Sequence, residues 1–133
     1  MKERCAQTFT LMDAVAANGW STPVDVRNYK HLILVISTAS SGAGTLKVAG
    51  SILPSDDVTF STAAAVDNEW DYIAAYNLED AAAVEGDTGV VYAGTDAVEQ
   101  LIINTDGMTS IAVNLSGYSA GAFDVKLFVV NNQ

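Results

Sequence analysis

Disulfide, zinc and imidazole chemistry have almost nothing to work with in this 133-residue chain, which holds one cysteine, Cys5, and one histidine, His31. A lone cysteine forms no internal bridge, which argues against a secreted disulfide scaffold and for a reducing compartment. One Cys and one His do not supply a zinc ligand set. A reactive thiolate needs a base beside it, and the only imidazole opens an apolar run instead, so Cys5 is a poor nucleophile candidate. Cations are also scarce: six Lys and Arg stand against sixteen Asp and Glu, a formal net charge of −10. The six are scattered, so no basic patch exists for nucleic acid or for an anionic membrane surface. No stretch reaches the ~18 apolar residues of a membrane-spanning helix, and "MKERCAQTF" lacks the apolar segment of a signal peptide. Two prolines and ten glycines leave no room for a low-complexity tract. The expectation is one soluble domain made in a cytoplasm, with a basic or apolar partner.

What is present is period-two alternation. In "TLKVAGSI" (45–52), Leu46, Val48 and Ile52 are expected inward, with Thr45, Lys47 and Ser51 outward. "TSIAVNL" (109–115) sets Ile111, Val113 and Leu115 against Ser110, Ala112 and Asn114, and "AFDVKLFVV" (122–130) sets Phe123, Val125, Leu127 and Val129 against Asp124 and Lys126. "TFTLMDAV" (8–15) and "VEQLIIN" (98–104) are weaker versions. "HLILVIST" (31–38) is apolar on both faces, so Ile33 and Val35 need a cover once Leu32, Leu34 and Ile36 face the core. Turn signals at Asn18-Gly19, "ASSGAG" (39–44), "EGDTG" (85–89), Asp106-Gly107 and "SGYSAG" (116–121) separate these runs. With 69–76 and 88–93 added, about eight short antiparallel strands are predicted, an all-β single-domain sandwich of jelly-roll-like type. Residues 1–20 form an N-terminal arm or first strand, and 21–133 the sandwich. "STAAAV" (61–66) and "LEDAAAV" (78–84) are the only helix-like pieces. "LILVISTASSGAGTLKVAG" and "IAVNLSGYSAGAFDVKLFV" echo each other as two strand–loop–strand units.

The densest chemistry lies in "DNEWDYIAAYNLED" (67–80). Asp67, Glu69 and Asp71 fall at alternate positions and offer hard oxygen ligands of the kind calcium takes. Trp70 and Tyr72 interleave with them, which is the pattern of a half-buried strand with a wet face, and no EF-hand glycine follows. Sixteen acids make any glycosidase-like carboxylate pair uninformative. No G-x-S-x-G, P-loop or dinucleotide fingerprint occurs. No catalytic residue, cofactor or metal is therefore assigned. The aromatics admit two readings. Trp20, Trp70, Tyr72, Tyr76, Tyr92 and Tyr118 could stack on sugar rings; on the other reading Trp70 and Tyr72 are core anchors, and Trp20 and Tyr118, in loops, sit at a protein contact.

The order of pieces adds a resemblance. Tyr29 before a strand, "KVAGS" (47–51), "NEWDY" (68–72), "GDTG" (86–89) and the closing strands of 109–130 are similar to small β-sandwich virion proteins of tailed bacteriophages, the capsid decoration or cement type and related head and tail components. The resemblance covers roughly 24–130 and carries no active site. It implies a non-enzymatic structural protein on the capsid surface, made in the host bacterial cytoplasm, with the major capsid protein as partner. It also implies a homo-oligomer, trimer favoured over dimer. The contact residues expected on this reading are Phe9, Leu11, Trp20, Tyr29 and Tyr118, with Ile33 and Val35 between subunits and the 1–20 arm reaching a neighbour. The alternative is a tail, receptor-binding or carbohydrate-binding module on the same sandwich.

Overall fold

The computed structural model describes residues 4–61, 69–104 and 107–132. All of the regular structure among them is β. Ten strands join in one antiparallel sheet: β1 (Arg4–Val15), β2 (Gly19–Trp20), β3 (Val24–Asp25), β4 (His31–Ser51), β5 (Asp71–Ile73), β6 (Ala75–Asn77), β7 (Ala82–Val84), β8 (Val90–Ala93), β9 (Val98–Ile103) and β10 (Ser110–Asn132).

Two long strands organise the rest. β4 runs 21 residues and β10 runs 23, and they pair antiparallel from Ser51 opposite Ser110 to His31 opposite Val130. The turns expected at "ASSGAG" and "SGYSAG" do not break the chain into separate strands. Both segments bend and continue, with register shifts between Ser116 and Ala122. The bends use left-handed backbone at Ser40 and Ser41 on one strand and at Gly117 and Gly121 on the other. Gly121 has no alternative: a Cβ there would sit 2.5 Å from the Gly42 Cα and 2.6 Å from the Ala39 carbonyl oxygen. The internal echo therefore marks two matching bends nested backbone against backbone, not two hairpins.

These bends fold one sheet into two facing layers, a sandwich-like arrangement. The first follows the order β1-β10-β4-β9-β6-β7, using residues 31–39 of β4 and the closing half of β10. The second pairs residues 43–51 of β4 with the opening half of β10. It is flanked by β2 and β3 on the β10 side and by β5 and β8 on the β4 side. The expected alternation fills the space between them. Leu32, Leu34, Ile36, Phe123, Val125, Leu127 and Val129 enter from the first layer, and Leu46, Val48, Ile111, Val113 and Leu115 from the second, all buried. Each such side chain stabilises the fold by about 1.5–3 kcal/mol.

Three local expectations need correction. Ile52 was expected inward but is 70% exposed, because β4 ends at Ser51 and its phase ends with it. Residues 69–76 are two strands, not one: β5 joins β4 in the second layer, β6 joins β9 in the first, and the chain crosses at the exposed Ala74. The "LEDAAAV" segment is a turn leading into β7, not a helix; positions 62–66 of "STAAAV" lie outside the described residues.

Candidate functional site

The outer face of the second layer is roofed by the chain itself. Ala49 and Ala112, both fully buried and opposite each other in the β4–β10 ladder, leave room above them for rings. Trp20, Phe60, Trp70 and Tyr72 fill that room, with Val58 and Leu53. Trp20 lies 4.9 Å from Trp70 and stacks on Tyr72 at 6.1 Å with planes 5° apart, while Trp70 meets Tyr72 edge-on at 5.0 Å. Lys47 Nζ sits 4.9 Å from the Tyr72 centroid, a cation–π contact. Trp70 and Tyr72 are thus anchors, but of a second small core outside the main one. The acids interleaved with them are used locally: Glu69 Oε2 accepts the Thr59 N–H at 3.2 Å, and Asp71 Oδ1 accepts the Tyr72 N–H at 2.8 Å. Asp67 lies outside the described residues, among which no three His, Cys, Asp or Glu side chains gather to hold a metal ion.

The outer face of the first layer carries no such roof among the described residues. Phe128, Ile33, Ile102 and Tyr76 stand opposite one another on four adjacent strands, β10, β4, β9 and β6. Phe128, Ile102 and Tyr76 are each over 40% exposed, and Val98 at the side is 64% exposed. Ile33 and Val35, the expected interface residues, are half-buried within this patch. Asp13, Asp124 and Lys126 stand at one end of it beside Val35, Val98 and Phe128, and Asp124 Oδ1 accepts the Ala14 N–H at 2.8 Å. Contiguous apolar surface of this kind marks an interaction face. Sequence reasoning gave no contact role to Phe128 or Ile102 and named Tyr76 only as a sugar-stacking ring, although Phe128 shares the outward phase of Asp124 and Lys126.

A groove of about 660 Å³ opens where β1 and β3 leave the two layers. Phe9, Leu11 and Tyr29 meet there, with Phe9 and Tyr29 edge-to-face at 6.3 Å. The Tyr29 hydroxyl donates to Gln7 Oε1 at 2.7 Å, tying the loop before β4 to β1. Leu11 is buried at its base. Of the remaining expected contact residues, Trp20 belongs to the aromatic roof. Tyr118 sits at the β10 bend, where its hydroxyl donates to the Gly121 carbonyl at 2.6 Å and its ring packs edge-on against Phe123. The seven residues therefore fall in four places, not on one surface.

One acid faces inward. Glu99 stands opposite Ile36 in the β4–β9 ladder, on the core side of β9, while Val98 and Ile102 point out. Asn77 Nδ2 donates to Glu99 Oε2 at 3.4 Å. Burial raises the Glu99 carboxyl above its ordinary range, the charges of Glu79 and Asp80 add to this, and the Tyr92 hydroxyl opposes it. Burial and Glu99 in turn push the Tyr92 phenol far above its usual range. The Tyr92 hydroxyl has no partner at full hydrogen-bonding distance, so the two groups are electrostatic neighbours rather than a formed bond.

No family model matches the chain, and no curated protein is similar to it in sequence. Solved structures do share its architecture. The SPBc2 prophage-derived protein YomS aligns over 98% of this chain and 96% of its own, with a TM-score of 0.71 and 14% identity. The PBSX exported protein XepA aligns over 98% of this chain and 39% of its own longer one, with a TM-score of 0.72 and 14% identity. At that identity the similarity is one of fold: the chain is built on the all-β architecture that occupies nearly the whole of YomS and 39% of XepA.

Proposed function

We propose that this protein is a non-enzymatic structural component of a phage particle, and that its place is the head surface, where it decorates and stabilises the assembled shell of major capsid protein. The observation that carries the reading is the bare apolar row Phe128–Ile33–Ile102–Tyr76 on a chain of net charge −10. A strongly acidic protein that leaves a row of apolar side chains open on one sheet face is suited to burying that row in an assembly. Support also comes from the fold shared with a protein described as prophage-derived. On this reading Ile33 and Val35 lie between subunits of a homo-oligomer, a trimer in preference to a dimer. Attachment to the shell gains by repetition over many copies rather than by one tight site. The sugar-binding alternative has less support, because the Trp20 and Tyr118 rings are packed against their own chain.

The test joins solution mass with particle imaging. The wild-type protein is expected to be oligomeric, and an Ile102→Asp, Phe128→Asp double variant monomeric but folded. A cryo-EM map of the particle is expected to place the wild-type density on the head. A monomeric wild type, or density confined to the tail, sinks the assignment.

A further inference from the structure

The β6–β7 hairpin lies at the edge of the first layer and is held there by little backbone. β7 pairs only with β6, and β6 meets β9 through three residue pairs, Ala75–Ile103 to Asn77–Leu101. The Leu78 N–H adds one bond, to the Gln100 carbonyl at 3.0 Å. The chain on either side of the hairpin belongs to the second layer, where β5 and β8 both pair with β4. There Gly86 passes so near Tyr72 that a Cβ would lie 2.9 Å from the Tyr72 carbonyl oxygen. The two stems are thus held together in one layer while the hairpin rests on the other, which is the geometry of a flap.

Where this flap meets β9, the charge is all of one sign. Asn77 Nδ2 reaches Glu99 Oε2 at 3.4 Å. Glu79 and Asp80, in the turn that follows, act on the same carboxyl, and Tyr92 acts on it from β8. Ile36, opposite it on β4, is apolar. No Lys or Arg is among these groups, and the ion pair formed among the described residues, Arg27 with Asp25, lies in the loop after β3. Ionised Glu99 therefore faces two further acids with no cation between them, and like charges repel most strongly where water is partly excluded. Protonation removes that repulsion. It also gives Glu99 an O–H donor beside the buried Tyr92 hydroxyl, which has no partner.

We infer that the β6–β7 hairpin is a proton-operated flap: protonated Glu99 holds it down on β9, and ionised Glu99 loosens it. The hold is complete below the ordinary carboxylate range and fades as pH rises through the raised value of Glu99. Tyr76 and Leu78, both over 40% exposed, ride on the flap. The open face keeps its β6 end only while the flap is down. The inference does not depend on the assignment to a phage particle.

Amide hydrogen exchange of the full chain reads the flap directly, because lifting it breaks the bond from Leu78 to Gln100. At neutral pH, Leu78 is expected to be at least about tenfold less protected than Leu34 in the β4–β10 ladder, the mark of local opening. Corrected for intrinsic exchange, its protection is expected to fall about three- to tenfold between about pH 5 and about pH 7.5. Glu99→Gln, which keeps an acceptor for Asn77, is expected to retain the acid level of protection throughout. A Glu79→Gln, Asp80→Asn double variant is expected to shrink the fall, and Leu34 protection reports that each variant is folded. The inference is overturned if Leu78 is as protected as Leu34 at neutral pH, if its protection does not change with pH, or if the fall survives undiminished in either variant.

Discussion

The two outer faces of this sandwich begin from the same β4–β10 ladder and end in opposite states. Above Ala49 and Ala112 the chain lays Trp20, Phe60, Trp70 and Tyr72 over its second layer. Above Ile33 and Val35 in the first layer, Phe128 and Ile102 remain open. The difference lies in side-chain size and in what the connections carry. Small residues in the second layer make a shelf; β2 and β5 bring Trp20 and Tyr72 to it, and the segment between β4 and β5 brings Phe60 and Trp70. In the first layer the shelf is already occupied by branched and aromatic side chains. One face is finished by folding, and the other stays open among the described residues.

Single substitutions separate the two faces by the size of their effect. Trp70→Ala should remove the centre of the roof and lower unfolding stability by about 3–5 kcal/mol in urea titrations. Ile102→Ser on the open face, measured at concentrations where the chain is monomeric, should change it by no more than about 0.5 kcal/mol; equal losses would mean that the faces do not differ as described. Ala112→Leu should overfill the shelf and cost about 1–3 kcal/mol, and a neutral result would show that the roof is loosely packed. The smallest effect should come from Glu99→Gln. The raised carboxyl of Glu99 means that the folded state holds its proton more tightly than the unfolded chain. Its favourable effect is therefore complete below the ordinary carboxylate range and is lost as pH rises through the raised value. The Gln variant should match wild type in acid and exceed it near neutral pH. A urea midpoint difference that is independent of pH would refute the linkage.

Much of this was legible in the alternation. Phe123, Val125, Leu127 and Val129 announce a core face because nothing interrupts their period of two, and the doubly apolar 31–38 run announces a face in need of cover. The bends were not legible. Ser40, Ser41 and the glycines of "SGYSAG" have the composition of hairpin turns, and only the mutual contact of Gly121 with Gly42 distinguishes a bend from a break. β9 was ambiguous because Glu99 points inward, where its neighbours Tyr92 and Asn77 come from other strands. The aromatic roof was half legible: Trp70 and Tyr72 share a face in any strand, but alternation cannot say that this face lies outside the main core. The groove was only partly anticipated. Phe9, Leu11 and Tyr29 were singled out separately, and only the fold could bring them to one place.

The β4–β10 ladder also bears on how the chain reaches its native state. Its innermost pair, Ser51 with Ser110, encloses 58 intervening residues, and its outermost pair, His31 with Val130, spans most of the protein. That closure entropy must be met before either layer has a centre. No local hairpin can nucleate this pairing, so folding belongs with the slow, non-local β proteins, on the order of milliseconds to seconds. Until the ladder closes, the shelf for the roof and the apolar row are both incomplete. The open apolar face is therefore assembled in the same event as the core beneath it.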